Sequence, residues 1–356
     1  MKRFTYFLFV ASLLLSGLNL RAQQLLPQDS SARVVTPYVN TLTPKATCKK
    51  AAKAGIILIG GGDTLRACNP CNQTSTTGLS YADICNIYKR ELGDSVNVYC
   101  MPIPTAIEYY CPDAAKSWTK PEAPVLNSMF AACSDSVLVV NIYHILGEHA
   151  AERIFSRTDH HWAPRGAYYA AMKLCEVAGV PFEDLSHYDE HVIHGFVGTM
   201  PTFSGEASLK KAPEDFYFYT PRDCEYTTTY IQYKTQKGKI IGEHPAAEGE
   251  FFKHYDDGSG AAYNTFMGGD SKITQVHTSV NNGRRVLIFK DSFGNAIPGY
   301  LFFSFEEVHV IDFRFFDRNI KTYIEDNKIT DVVFANNLTH ACGNTSYNNY
   351  KRFLVQ

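Results

Sequence analysis

Residues 157–172, RTDHHWAPRGAYYAAM, place an acid, two histidines and a tryptophan side by side. Asp159, His160 and His161 are residue types that bind metal ions or move protons during catalysis. In an extended loop, side chains two residues apart project to the same side, so the Asp159 carboxylate can hold one ring nitrogen of His161. On a helix these two side chains would diverge by about 200°. Pro164 explains why a helix begins only after the motif.

Ser292 could be the nucleophile for such a pair. It follows the apolar run RVLIF within the segment KDSFGN, where a buried strand gives way to a helix and backbone N–H groups point outward. His161 would take the Ser292 proton, and Asp159 would orient the imidazole ring. Asp, Ser and Asn are also common in helix-capping turns, so the segment alone fits a structural turn at least as well.

A metal site is the weaker interpretation of the motif. Asp and His are good zinc ligands, but the sequence has no HExxH and no HxH motif that would supply the missing ligands. We therefore expect no metal ion and no cofactor. Cys68-Asn-Pro-Cys71 has the spacing of a thioredoxin-like redox pair. Because it lacks the preceding aromatic residue and an early βαβ setting, we interpret these cysteines as structural.

Strand and helix patterns predict the scaffold that must position these residues. Apolar runs typical of buried strands lie at 55–61, 95–102, 136–143, 284–292, 307–314 and 329–337. Helical patterns begin near Ser80 and at Pro164, and recur near 295–304 and 317–326. Strand-to-strand spacings of about 20 to 25 residues are typical of right-handed crossovers. We predict an α/β fold, a three-layer α/β/α parallel sheet.

Residues 182–280 interrupt this rhythm. They are rich in Tyr, Phe, Thr and Gly, alternate in DFYFYT and EYTTTYIQY, and carry turn signals such as Lys237-Gly238. The pattern predicts a β-rich antiparallel insertion within a domain of residues 51–356. Ligands of parallel sheets bind at the carboxyl ends of the strands. The polar groups predicted at those ends are Ser292, Asp312-Phe313-Arg314 and Asn336-Asn337.

The N-terminus has the pattern of a secretory signal peptide over residues 1–22. Lys2 and Arg3 precede an apolar run shorter than the roughly 20 residues of a membrane span, and no later run suggests a span after cleavage. Residues 23–50 are polar and aperiodic, which predicts an extended lead-in. We therefore expect export to the periplasm or the cell surface, where disulfides could form among the ten cysteines.

The net charge of the mature chain argues against some classes of binding partner. Removal of residues 1–22 takes away three positive charges and no negative ones, so the formal charge of −2 becomes about −5. The charges are spread without blocks of one sign. This distribution argues against nucleic acid or anionic lipid as a partner.

Several sequence blocks together resemble the DHHW family. They are TDHHWAPRGAYYAA, GFVGTM, FMGGDSK, VLIFKDSFGNAIPGYL, EVHVIDFRFF and ITDVVFANN, in this order over roughly residues 50–340. That family is similar to alginate O-acetyltransferase-type proteins within the SGNH hydrolase superfamily. The resemblance implies an SGNH-like domain with a triad of Ser292, His161 and Asp159. The serine block follows the Asp-x-His block, so it also implies a permuted order relative to ordinary SGNH hydrolases.

The resemblance implies further residues around the reacting carbonyl. Asn336 or Asn337 falls where the oxyanion-hole asparagine of the superfamily is expected. Arg314 falls where alginate-type relatives carry an arginine that would touch an acidic or acetylated sugar.

One position departs from the SGNH pattern. Lys290 replaces the glycine of the usual Gly-Asp-Ser, which would alter how closely an oxyanion approaches the backbone. Gly268 or Gly269 would then supply a close backbone N–H group instead, although both also fit a simple turn.

Two functional hypotheses follow. In the first, Ser292 attacks acetyl esters of a cell-surface or extracellular polysaccharide, and the acetyl group passes to water (an esterase) or to a sugar hydroxyl (an O-acetyltransferase). A transferase would have an acyl-donor protein of an envelope acetylation system as partner. In the second, a non-catalytic glycan-binding or assembly protein retains the SGNH-like fold. Lys290 and the lack of visible acyl-donor machinery leave room for this alternative.

Overall fold

The computed structural model describes residue 28 and residues 30–356. The predicted signal peptide, residues 1–22, lies outside the described residues. The α-helices of the described part are α1 (Leu79–Leu92), α2 (Ala106–Tyr110), α3 (Ala123–Ala132), α4 (Tyr143–Glu148), α5 (Pro164–Ala178), α6 (Met200–Ser204), α7 (Ile320–Asp326), α8 (Leu338–Ala341) and α9 (Asn344–Phe353). Its strands are β1 (Cys48–Lys50), β2 (Ile57–Ile59), β3 (Arg66–Cys68), β4 (Asn97–Cys100), β5 (Leu138–Val139), β6 (Tyr188–Phe196), β7 (Glu214–Pro221), β8 (Tyr226–Ile231), β9 (Tyr233–Gln236), β10 (Lys239–Glu243), β11 (Ala247–Glu248), β12 (Ile273–Thr278), β13 (Arg285–Lys290), β14 (Glu307–Asp312) and β15 (Asp331–Ala335).

The central sheet has eight strands in the order β11-β8-β12-β14-β13-β15-β4-β5. The five strands from β14 to β5 run parallel, as their buried apolar sequences predict. β12 pairs antiparallel with β14, and β8 and β11 continue that edge antiparallel. The sheet is therefore mixed and mainly parallel, which corrects the prediction of a parallel sheet. The insertion supplies the three antiparallel strands, which satisfy the backbone groups that the β14 edge would otherwise leave unpaired.

The apolar run at 55–61 forms β2, but not in the central sheet. β2 pairs antiparallel with β1 and β3 in a small three-stranded sheet. Ile57 and Ile59 join the main core, whereas Leu58 packs in a second cluster with Met200. The prediction of a parallel strand here is wrong, because a strand covered on both faces is apolar throughout in either kind of sheet.

The remainder of the insertion forms two antiparallel hairpins. β6 pairs with β7, and β9 pairs with β10. The segment that leaves β6 enters α6 through Gly198 and Thr199. The insertion therefore both widens the central sheet and extends to the loop that carries Asp159.

Helices cover both faces of the central sheet. On one face, Tyr88 of α1 and Tyr350 of α9 pack edge to face against Phe289 and Phe334 of the central strands. On the other face lies α5, which begins at the predicted Pro164 and ends before Gly179, whose φ of 64° is the left-handed conformation of a helix C-cap.

A buried ion pair links α5 to the sheet. The Arg284 guanidinium donates to both oxygens of Asp331, at 2.8 and 2.6 Å, and to the Ala178 carbonyl oxygen at 3.2 Å. Asp331 also accepts hydrogen bonds from Asn97 and Tyr99 on β4. The carboxylate is fully buried, and the guanidinium, whose side chain is almost fully buried too, depends on it for its counter-charge.

Removal of this carboxylate should destabilise the fold strongly. We expect Asp331→Ala to lower the free energy of unfolding by about 3–5 kcal/mol, because it leaves a buried guanidinium without an anion. Urea denaturation measures the change. Asp113→Ala, which breaks the exposed pair with Lys116, is the control and should leave the denaturation midpoint nearly unchanged. Similar midpoints for the two variants would contradict the assigned role of Asp331.

Candidate active site

Ser292 lies at the carboxyl edge of the central sheet. β13 ends at Lys290, and Ser292–Ala296 form a 3-10 turn that Asp291 caps by accepting a hydrogen bond from the Phe293 N–H group at 3.0 Å. The helix predicted near 295–304 is instead this turn and a second one, Pro298–Leu301. Glycines and a proline in the segment disfavour a longer helix. The turn holds the partly exposed Ser292 hydroxyl at the rim of the sheet.

The structure brings Ser292, His161 and Asp159 into one hydrogen-bonded chain. The distance from Ser292 Oγ to His161 Nε2 is 2.8 Å, and that from His161 Nδ1 to Asp159 Oδ1 is 2.6 Å. The His161 backbone N–H group also donates to Asp159 Oδ1, at 2.9 Å. Residues 157–161 form bends and no helix, which is the loop geometry that pairing of side chains two residues apart requires.

The second oxygen of Asp159 is held by Thr199. Both the backbone N–H and the hydroxyl of Thr199 donate to Asp159 Oδ2, each at 2.8 Å. Gly198 permits this approach, since a Cβ atom there would clash with the same oxygen. Burial by itself would raise the pKa of the Asp159 carboxyl, but the charge and hydrogen bond of His161 hold that pKa well below its usual range. Asp159 is therefore an ionised group that only accepts hydrogen bonds.

Two aromatic residues fix the His161 ring and the backbone beside Ser292. Tyr263 stacks flat on His161, with ring centroids 3.9 Å apart and planes 5° apart. The Tyr263 hydroxyl and the Trp162 indole N–H both donate to the Phe293 carbonyl oxygen, each at 2.8 Å. Neither side chain can rotate without breaking these contacts, so the imidazole stays aligned with the serine.

Sequence reasoning assigned no role to Thr199 or Tyr263. Gly198-Thr199 lies in the block GFVGTM, one of the blocks that resemble the DHHW family. Membership in that block was the sequence feature that could have indicated a role for Thr199. Tyr263 is one of 22 tyrosines, and nothing in its local sequence distinguishes it from those that only pack.

The predicted oxyanion residues Asn336 and Asn337 contact Asp291. Asn336 is fully buried; its Nδ2 donates to Asp291 at 3.3 Å, and its Oδ1 accepts hydrogen bonds from Tyr81 and Tyr350. Asn337 donates to Asp291 from its backbone and from its side chain, at 2.9 and 3.1 Å. Both amides therefore hold the residue that precedes the serine, and the fully buried Asn336 does not line the pocket beside Ser292, whereas Asn337 does.

Arg314 and Lys290 share two carboxylates. Arg314 donates to Asp312 at 2.8 and 2.6 Å and to Asp270 at 2.7 Å. The buried Lys290 ammonium donates to the same two residues, at 2.8 and 2.9 Å. Lys290, the residue that departs from the Gly-Asp-Ser pattern, thus neutralises the charges of Asp270 and Asp312 at the end of β13. The Arg314 guanidinium is paired with the same two carboxylates.

Gly268 and Gly269 form the turn that leads to Asp270. Their φ angles of 71° and 104° are conformations that favour glycine, and the nearest side chains are those of Lys253 and Asn264. The structure places them as turn glycines beside the acidic cluster.

A pocket of about 190 Å³ opens beside Ser292. Its walls include the loop of Cys68 and Cys71, His160, and the start of α8. A larger cavity of about 310 Å³ lies beside Phe155 and Arg165, but Ser292, His161 and Asp159 do not line it. Size alone therefore does not locate the site. The smaller pocket is the one that contains the hydrogen-bonded serine.

The two cysteines of this pocket are not poised for redox chemistry. All ten cysteines are free thiols in the structure. Burial raises the pKa of both the Cys68 and the Cys71 thiol to about 12. Because the thiolate is the reactive form, both side chains are inert at neutral pH, in line with the structural interpretation of the CxxC spacing.

Within residues 28 and 30–356, Asp159, His160 and His161 are the one group whose ligand atoms lie close enough together to hold a metal ion. His161 uses one ring nitrogen for Asp159 and the other for Ser292, and His160 Nδ1 lies 2.8 Å from the hydroxyl oxygen of Thr199. These hydrogen bonds suit proton transfer. The absence of a metal cofactor stays a prediction.

The sequence profile described as DHHW protein matches residues 31–311. The chain belongs to the DHHW family. A crystal structure of a DHHW family protein from Eubacterium siraeum is 35% identical, covers 87% of this chain and 99% of its own, and superposes with a TM-score of 0.77. No curated protein matches the chain.

Two structures of Bacillus cereus PatB1 share the fold at lower identity. They are 18% and 19% identical, with TM-scores of 0.61 and 0.60, over 82% of this chain and 98% and 99% of theirs. One of them carries a sulfonyl adduct. At this identity the likeness shows the α/β architecture with its mixed, mainly parallel sheet. In the described part of this DHHW protein, none of the helices has the length and apolar character needed to cross a bilayer.

The pair of Asp291 and His340 makes the stability of the site depend on pH. His340 Nδ1 lies 3.2 Å from Asp291 Oδ2. Burial opposes the charge on each group, but the hydrogen bond to its partner lowers the pKa of Asp291 to about 2 and raises the pKa of His340 above its usual value. Asp291 therefore stabilises the fold fully above about pH 4, and His340 does so below about pH 6.5.

We expect His340→Asn to lower the free energy of unfolding more at pH 5.5 than at pH 8.5. The stabilisation by the His340 charge is present below the pKa of the unfolded histidine and is lost as pH rises through the raised pKa of the folded one. Urea denaturation of both proteins at the two pH values gives the difference. An equal gap at both pH values would show that His340 contributes packing alone.

Proposed function

We propose that this DHHW protein is an exported serine-dependent acyl-ester enzyme, an acetylesterase or O-acetyltransferase of polysaccharide outside the cytoplasm. The observation that supports it is the unbroken hydrogen-bonded chain from Ser292 through His161 to Asp159 at the edge of a ligand-sized opening. The export part of the proposal rests on the N-terminal sequence pattern, and the permuted SGNH order stays a prediction.

The proposed reaction uses each group in the protonation state that its contacts favour. His161 Nε2 takes the proton of Ser292 as Oγ attacks the acetyl carbonyl carbon, and Asp159 stabilises the imidazolium that forms. His161 then returns the proton to the leaving alcohol as the ester bond breaks. An acetyl group remains on Ser292, and a water molecule or a sugar hydroxyl resolves it by the same steps in reverse.

The sulfonyl adduct of PatB1 supports a reactive nucleophile in this fold. Sulfonyl groups attach to activated nucleophiles, and the Ser292 hydroxyl oxygen lies 2.8 Å from the His161 ring nitrogen Nε2. A sulfonyl fluoride is therefore a suitable probe of the proposal.

The pocket favours an uncharged acyl group. Its wall contains no lysine or arginine among the described residues, while Asp159 and Glu122 line it. Arg314, the residue expected to meet an acidic sugar, is paired with Asp270 and Asp312. Burial and the neighbouring Glu108 raise the pKa of Glu122 to about 8, so Asp159 is the ionised acid of the wall. A neutral acetyl ester avoids repulsion by this carboxylate, and the side chains of Gln73 and Thr105 can hydrogen-bond sugar hydroxyls. For a transferase, the acyl-donor protein of an envelope acetylation system remains part of the proposal.

Hydrolysis of p-nitrophenyl acetate tests the proposal directly. We expect Ser292→Ala to lower kcat/KM at least about 10³-fold and Asp159→Asn to lower it about 10²- to 10⁴-fold, because the asparagine favours the wrong imidazole tautomer. Ser136→Ala, at an exposed position away from the pocket, is the control. Thermal melting confirms that each variant folds.

Labelling gives a second readout of the same prediction. Phenylmethanesulfonyl fluoride should modify the wild-type protein once, on the peptide that contains Ser292, and mass spectrometry identifies the site. An unlabelled Ser292, together with equal hydrolysis by wild type and Ser292→Ala, would instead support the non-catalytic glycan-binding alternative.

A further inference from the structure

His160, the first histidine of the motif, takes no part in the proposed reaction of Ser292. Its ring is nevertheless held in place by several contacts, as the ring of His161 is. The two rings lie side by side with centroids 3.7 Å apart, and His160 lines the pocket together with Ser292. Its ring also contacts Phe203 and Phe293, with centroids 5.4 and 6.0 Å away. The protonation of its two ring nitrogens therefore decides which hydrogen bonds His160 can offer a ligand.

The hydrogen bonds assign the tautomer of His160. Asp159 is ionised, so the Thr199 hydroxyl must give its single proton to Asp159 Oδ2. The Thr199 oxygen can then only accept a hydrogen bond from His160 Nδ1, 2.8 Å away. Nδ1 therefore carries the hydrogen, and in the neutral ring Nε2 has a free lone pair.

The His160 ring is neutral at physiological pH. Burial, reinforced by the neighbouring His161, lowers the pKa of His160 to about 4. A group with this pKa is a poor base at pH 7, so its Nε2 accepts a hydrogen bond and does not remove the proton.

The geometry leaves Nε2 directed away from the acid. Nδ1 faces Thr199 and Asp159, the latter at 3.7 Å, so Nε2 lies at the opposite edge of the ring. The side chain is 22% exposed, more than that of His161, and His160 is one of the residues that line the pocket. Asp159 thus orders two imidazoles: His161 Nε2 is hydrogen-bonded to Ser292, whereas His160 Nε2 has no hydrogen-bond partner among the residues that the structure describes.

We propose that His160 Nε2 binds the acyl acceptor by accepting a hydrogen bond from a second hydroxyl, so that vicinal diols are preferred to simple alcohols. The inference rests on the proposed function. In the second half-reaction the attacking hydroxyl oxygen bonds to the acetyl carbon, and its proton passes to His161 Nε2. The bond from that carbon to Ser292 Oγ then breaks, and His161 gives the proton to Oγ.

A simple alcohol uses its one O–H group in this step and has none left for His160. A vicinal diol, the arrangement found on most sugar rings, places a neighbouring hydroxyl beside the attacking one. Water also has a second O–H group, so hydrolysis continues when no diol is present. The acceptor class is therefore a glycan or polyol with adjacent free hydroxyls.

Transfer from p-nitrophenyl acetate to two matched alcohols tests the proposal. Ethylene glycol carries the second hydroxyl, and 2-methoxyethanol carries a methyl ether in its place. We expect the wild-type protein to acetylate the glycol about tenfold faster at equal concentration, the effect of one hydrogen bond. His160→Phe keeps the ring packing but removes the lone pair, so the preference should fall to the statistical value set by two hydroxyls. Chromatography of the acetate esters measures the ratio.

Two further variants complete the design. His160→Gln retains an acceptor oxygen on a side chain of similar reach and should recover part of the glycol preference. His254→Phe, at a side chain that is 90% exposed, introduces the same phenyl ring elsewhere and should keep the full preference. The rate of Ser292 sulfonylation, which involves no alcohol, should slow much less in His160→Phe than transfer to the glycol does.

The outcomes separate the two proposals. An unchanged glycol preference in His160→Phe would overturn the acceptor role of His160. Equal slowing of sulfonylation and transfer would overturn it too, because it would mean that His160 only supports the loop. If Ser292 of the wild-type protein is neither sulfonylated nor acetylated, the proposed function itself is wrong. Failure of the His160 proposal alone would leave both reactions of Ser292 intact, so the two failures are distinguishable.

Discussion

The buried Asp159 carboxylate organises the whole site. Taking an ionised carboxylate out of water is costly unless donors surround it, and here the donors are the groups that chemistry requires. One oxygen holds His161, and the other holds Thr199, through which His160 is oriented. A single buried charge therefore sets the tautomers of two adjacent imidazoles. The absence of a side chain at Gly198 is what allows the second set of donors to reach it.

The rim that carries Ser292 is supported in the same way. Asp291, directly before the serine, accepts hydrogen bonds from Asn337, His340 and the Phe293 backbone, while Lys290 on the other side is held between two acids. These buried polar groups have partners, so the end of β13 has little freedom to move. A nucleophile needs this rigidity, since small displacements from the histidine cost much of the rate.

The insertion is part of the site as well as of the sheet. β8, β11 and β12 continue the central sheet, and the segments around them bring Thr199 onto Asp159 and Tyr263 onto His161. A central sheet without these segments would lack the Thr199 donors to the Asp159 carboxylate and the Tyr263 ring that covers the His161 imidazole. The segment that leads into β12 lies at the carboxyl end of β14, the end of the sheet at which Ser292 lies, so the antiparallel addition reaches the chemistry directly.

Local sequence determined the elements whose cause is local. The parallel strands, the start of α5 at Pro164, and the pairing of Asp159 with His161 two residues later all follow from short-range pattern and geometry. Only the tertiary structure decided the placement of β2 outside the central sheet, the mixed sheet edge, and the partners of Asn336, Asn337 and Arg314. Those outcomes depend on which buried charge or unpaired strand edge lies nearby after folding. Such neighbours are separated by tens to hundreds of residues along the chain, so local sequence patterns do not predict them.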